Sequence, residues 1–124
     1  MKEFISHSAT IFPVDNPLAS AEYYRDKLGF EITFKWEDPP SYIVTKLGES
    51  VSIHFVNRAD DRKPSRVHVA MMIFTHDVDK VYKRLKENEV EIINPIGTRD
   101  YGMRDFDIKD PDGYILSFGQ GLEN

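Results

Sequence analysis

The sequence predicts an α+β fold of two βαβββ modules that form a curved mixed sheet around a groove, with the helices outside. Three observations predict it. A β-prone segment, a helix-like run and another β-prone segment follow one another at residues 9–14, 17–28 and 30–32. The same order returns at residues 68–73, 78–85 and 90–92, with Val14 over Ile73, Tyr23 over Tyr82, and Ile32 over Ile92 after a one-residue slip. Further β-prone stretches punctuated by turn residues follow each copy. A repeat of roughly 50–60 residues means two copies of one supersecondary unit, not a solenoid of many.

Each element has a local cause. Residues 8–14 alternate and are β-prone, and Pro13 confines them to an edge or an end. Asn16 is placed to cap a helix that has Pro17 at its first position, and Gly29 to end it. Leu18, Ala21, Tyr24 and Leu28 are its buried stripe. In residues 30–36, Phe30, Ile32, Phe34 and Trp36 share one side, and Asp38-Pro39-Pro40 breaks the run. Residues 42–47 and 51–56 are the third and fourth strands around Gly48-Glu49. Residues 57–66, mostly charged, link the halves. The fifth strand is read at 67–74, long and apolar. Thr75, His76 and Asp77 start the second helix, whose stripe is Val78, Val81, Tyr82 and Leu85. The sixth strand is read at 90–93, broken by Asn94-Pro95-Ile96-Gly97; residues 98–102 are a loop. The seventh strand is read at 106–109 and the eighth at 114–118, around the tight turn Asp110-Pro111-Asp112-Gly113, where proline presets φ and glycine supplies a conformation closed to other residues.

A chain of 124 residues suits one domain: repeat 1 about 7–56, linker 57–66, repeat 2 about 67–120. With 40% hydrophobic and 30% charged residues the composition is that of an ordinary globular protein. A net charge of -5 argues against a nucleic-acid surface. No apolar run is long enough for a membrane span. The N-terminus lacks the apolar stretch of a signal peptide, so the expected setting is cytoplasmic. The absence of cysteine rules out disulfides, thiolate metal sites and cysteine nucleophiles.

Three stretches carry a resemblance to a known family: Ala-Ser-Ala-Glu-Tyr-Tyr-Arg-Asp-Lys-Leu-Gly-Phe at 19–30, Gly-Met-Arg-Asp-Phe at 102–106 leading into Asp110-Pro111-Asp112-Gly113, and Leu-Ser-Phe-Gly-Gln at 116–120. In this order the chain resembles the vicinal oxygen chelate superfamily, which includes glyoxalase I, extradiol dioxygenases, fosfomycin-modifying enzymes and bleomycin-binding resistance proteins. The resemblance implies four metal-ligand positions, which fall on Ala9, His54, His68 and Ser117. Alanine offers no donor and serine is a poor one, so two imidazoles remain, fewer than the three protein ligands of catalytic zinc sites. His7 shares the strand face of Ala9 but lies roughly 6–7 Å further along.

The expected function is therefore a metal-independent binder of a small organic ligand, resembling bleomycin-type sequestering proteins, with no cofactor, no catalytic residue and a homodimeric state. A homodimer fits a superfamily whose groove is often completed by a partner chain. His54, His68, Trp36, Tyr42, Tyr101 and Arg104 are its candidate contacts. His54 and Ser52 face the groove because Val51, Ile53 and Phe55 face the helix. His68 shares its face with Ala70, Met72 and Phe74, which is also the setting of a satisfied wall histidine. Phe34 reads as core, and Trp36 as core or groove. Tyr101 and Met103 flank Gly102 in a hinged loop over an edge. Arg104 pairs with a ligand anion, or with Asp105 or Asp107. Flat or cationic ligands would stack on the aromatics, and the acidic balance favours a cation. The rival is a metal-dependent lyase, transferase or dioxygenase that uses His54 and His68 as ligands to a divalent ion. A third reading is an interaction domain with no small ligand.

Overall fold

The computed structural model describes residues 1–122. They divide into two compact units between Asp61 and Arg62. Each unit is a four-stranded mixed sheet with one helix on one face, so the α+β, twofold βαβββ architecture is the one observed.

In the first module a short 3-10 turn, Lys2–Phe4, precedes β1 (Thr10–Val14), α1 (Pro17–Leu28), β2 (Glu31–Trp36), β3 (Tyr42–Leu47) and β4 (Val51–Asn57). The sheet order is β1-β4-β3-β2, with β1 parallel to β4 and the other pairs antiparallel. The ends of α1 follow from its sequence. Asn16 Oδ1 accepts from the Ala19 amide at 3.1 Å, Pro17 occupies the first turn, and Gly29 closes the helix at φ 81. Tyr24 is the centre of the core beneath the helix, edge-on to Phe30 and Phe55 at centroid distances of 5.3 and 4.9 Å. Phe12, Val14, Ile43 and Ile53 complete that core.

The second module contains β5 (Met71–Phe74), α2 (Val78–Glu87), β6 (Glu91–Thr98), β7 (Met103–Lys109) and β8 (Ile115–Gly121), in the order β5-β8-β7-β6. Asp77 caps α2 by accepting from the Lys80 amide at 3.1 Å. Gln120 Oε1 accepts from the Val78 amide at 2.9 Å and ties β8 to the helix start. Phe106 packs against Tyr82 and Phe118, with Val78, Leu85, Ile108 and Leu116 around them. In the β7–β8 turn, Asp110 Oδ1 accepts from the amides of Asp112 and Tyr114, both at 2.9 Å, and Gly113 has φ 95.

Five expectations are corrected. The first strand starts at Thr10, not residue 8. Phe34 and Trp36 are not on the side of Ile32. The β2–β3 register shifts between Ile32 and Phe34, so Thr33 is an extra residue. Ile32 pairs with buried Thr45, but Phe34 pairs with Val44 on the opposite face. The fifth strand is only Met71–Phe74, because residues 66–68 bend instead of pairing. The sixth strand runs through Asn94 and Pro95 to Thr98. It is an edge strand whose register shifts on either side of Asn94, and there a missing amide costs little. Residues 103–105 belong to β7, and β8 extends to Gly121.

Candidate functional site

Each module's sheet has a face opposite its helix, and the two faces differ in chemistry. In the first module, alternation sends Ile53 and Phe55 toward α1 and therefore His54 away from it. The same face carries Ile11, which pairs with His54, then Val44 and Tyr42 from β3, and Phe34 and Trp36 from β2. Trp36 is 59% exposed, Phe34 50% and Ile11 55%, so three large apolar side chains are open to solvent on one sheet face. The Thr33 bulge and the Trp36–Tyr42 pairing place both aromatics beside Tyr42.

His54 is the polar centre of that face. Its Nδ1 lies 2.6 Å from the Tyr42 hydroxyl, and the two rings meet edge to face. Partial burial lowers the His54 pKa below its ordinary value, with repulsion from His7 adding to the effect. At neutral pH the imidazole is thus uncharged, and it serves as a hydrogen-bonding group rather than a cation.

The second module contains a cavity of ≈ 550 Å³. Val69, Met72, Pro95 and Tyr101 supply its apolar walls; Asn94, Arg99, Asp105, Asp107 and Ser117 supply its polar groups. Asp105 is buried and held at both oxygens: Arg99 Nε donates to Oδ1 at 2.8 Å and the Tyr101 hydroxyl to Oδ2. The bond to Asp105 raises the pKa of both Arg99 and Tyr101. Gly119 lies beside the cavity, packed under two flexible methionine side chains. A Cβ there would come within 2.5 Å of the Met72 terminal methyl and 2.8 Å of that of Met103.

The candidate contacts divide between the modules. Trp36, Tyr42 and His54 come together on the first. Tyr101, 69% exposed, lines the cavity of the second. His68 is not a strand residue: it is exposed in the bend before β5, its amide donating to Ser65 Oγ at 2.9 Å. Arg104 is turned the other way. It shares the parity of buried Phe106, faces α2, and binds Asp79 through Nε and Nη2 at 3.0 and 2.8 Å rather than Asp105 or Asp107. Asn94, Arg99, Asp105 and Asp107 are cavity residues that the sequence reading did not place there.

A family model, the Glyoxalase/Bleomycin resistance protein/Dioxygenase superfamily, matches residues 5–118. The chain belongs to this superfamily. Solved structures of the superfamily's fold superpose on it. A superfamily member from Sphaerobacter thermophilus DSM 20745 shares 22% identity and a TM-score of 0.79, with 95% of this chain and 98% of that one covered. TnmS3, an antibiotic binding protein from Streptomyces sp. CB03234, shares 23% identity and a TM-score of 0.74, covering 95% and 98%. Lactoylglutathione lyase from Agrobacterium tumefaciens shares 22% identity and a TM-score of 0.71, covering 94% and 93%. These likenesses show the fold alone. No curated protein matches the sequence.

The four positions that the superfamily resemblance assigns to a metal offer few donors. Ala9 has none, and the Ser117 hydroxyl donates to the Phe106 carbonyl at 3.4 Å. His68 stands exposed outside the strand. Among the described residues no group of three or more His, Asp or Glu side chains is placed to hold a metal ion. The donor set does not fit the ion. Among the described residues no helix is long and apolar enough to cross a membrane.

Proposed function

We propose that this superfamily member is a metal-independent binder of a small, flat organic ligand, which it sequesters and does not transform, in the manner of bleomycin-type resistance proteins. One observation carries the reading: Phe34 and Trp36, turned outward by the Thr33 bulge, form an exposed aromatic platform beside the Tyr42–His54 pair. Aromatic side chains flanking one fixed polar group suit a planar ligand that stacks and accepts or donates a single hydrogen bond. The likeness to TnmS3, an antibiotic binding protein, supports the same class, and the net charge of -5 favours cationic ligands. A second copy of the chain would cover apolar surface that the ligand leaves open, so the working state is a homodimer.

The deciding experiment combines elemental analysis of untagged protein with ligand titration. Tight uptake of a planar compound that quenches Trp36, the single tryptophan, is the expected result, and it should persist in the presence of chelator. Stoichiometric metal that vanishes in both His54→Ala and His68→Ala would overturn it in favour of a metal-dependent enzyme.

A further inference from the structure

The two carboxylates on the second sheet's face opposite α2 differ in how fully they are engaged. Asp105 and Asp107 alternate with buried Phe106 and Ile108 along β7, so both point away from α2. Both oxygens of Asp105 are taken, one by the Arg99 guanidinium and one by the Tyr101 hydroxyl. Asp107 is bound only through Oδ2, which accepts from the neutral Asn94 amide at 2.6 Å. Lys109 follows it on the same face, yet among the described residues no cation forms an ion pair with Asp107. The acidic and basic side chains of the cavity are Arg99, Asp105 and Asp107. Arg99 is bonded to Asp105 and attracts Asp107 only at a distance, so two carboxylates share one cation, and Asp107 keeps an oxygen with no hydrogen bond beside Met72 and Pro95.

We infer that Asp107 reads charge: it anchors a protonated amine on a ligand whose apolar body lies against Met72, Pro95 and Val69. A carboxylate–ammonium hydrogen bond is stronger than a neutral one and gains further where apolar walls exclude water. Asn94 is a positioning residue, since its amide holds one carboxylate oxygen and thereby directs the other. Asp105 is unsuited to the role because a ligand would have to displace Arg99. This assignment rests on the small-molecule reading above, but it concerns the second module's cavity and not the aromatic platform.

The test uses the full chain, labelled with ¹⁵N, and a matched pair of probes: 1-naphthylmethylamine and 1-naphthalenemethanol. Wild type is expected to bind the amine more than about tenfold tighter than the alcohol, with amide shifts at residues 105–107 and 117. Asp107→Asn should erase the preference, and Asp107→Glu should keep part of it. In wild type the preference should also shrink as sodium chloride rises toward molar levels. Equal affinity for the two probes, a preference that survives Asp107→Asn, or one insensitive to salt overturns the assignment. If both probes move the Trp36 indole signal and leave residues 105–107 unmoved, this inference fails and the platform reading stands. If neither probe moves any signal, both fail.

Discussion

The Tyr42 hydroxyl lies 2.6 Å from His54 Nδ1, diagonally across the β3–β4 ladder. The bond occupies one imidazole nitrogen and fixes the ring, so Nε2 is presented at the sheet face in one orientation. Tyr42→Phe keeps the aromatic ring and removes the bond. We expect ligand affinity to fall by about 0.5–1.5 kcal/mol, with thermal stability nearly unchanged. Calorimetric titration beside a thermal melt checks both.

The platform itself makes a larger prediction. Trp36 is mostly exposed and contributes little to the core, so Trp36→Ala should leave the unfolding midpoint close to wild type. Loss of a stacking tryptophan should weaken ligand binding by about 2 kcal/mol or more. An affinity unchanged in this variant would remove the platform from the site.

Acidification offers a check on the environment of His54. Its folded pKa is lowered by burial and by His7, so between the folded and unfolded values the unfolded chain binds more protons. Its contribution is therefore full above the ordinary value of 6.5 and is lost as pH falls through the folded value. His54→Gln should lose less stability than wild type when denaturant melts are repeated below pH 6.5. Equal pH slopes in the two proteins would contradict the shift.

Arg104 belongs to the helix side. The Asp79 carboxylate raises its pKa through the hydrogen bond, and the pair is largely solvent-exposed. Arg104→Ala should lower the melting temperature slightly and leave ligand affinity alone. A binding titration that shows a large loss would return Arg104 to the site.

Tyr24 tests the core. Fully buried between Phe30 and Phe55, it should cost about 3–5 kcal/mol when replaced by alanine, read as a lower urea midpoint.

Elements marked by local chemistry were legible in the sequence. Asn16, Pro17 and Gly29 set both ends of α1, and β3 occupies the residues assigned to it, because Pro40 and Gly48 punctuate it on either side. Elements that depend on a distant partner were not legible. The Thr33 bulge exists only in the pairing of β2 with β3, so alternation within β2 alone assigned Phe34 and Trp36 to the wrong face. Arg104 finds Asp79 only because α2 crosses β7. The alternation of Asp105, Phe106, Asp107 and Ile108 did contain the signal that both carboxylates face away from the helix, and it equally placed Arg104 on the other side. The engagement of Arg99 with Asp105 had no such signal, since it arises from a turn folding back on the strand.

The bulge at Thr33 makes the sidedness of β2 a matter of counting. Removing that single amino acid would restore unbroken alternation, with Ile32 still opposite Thr45 and Phe34 still opposite Val44, so both rings would keep their outward aim. A slip that flattened the bulge at unchanged length, setting Thr33 against Val44 and Phe34 against Ile43, would instead drive the rings into a filled interior, so the guest's seat depends on how the two strands are paired.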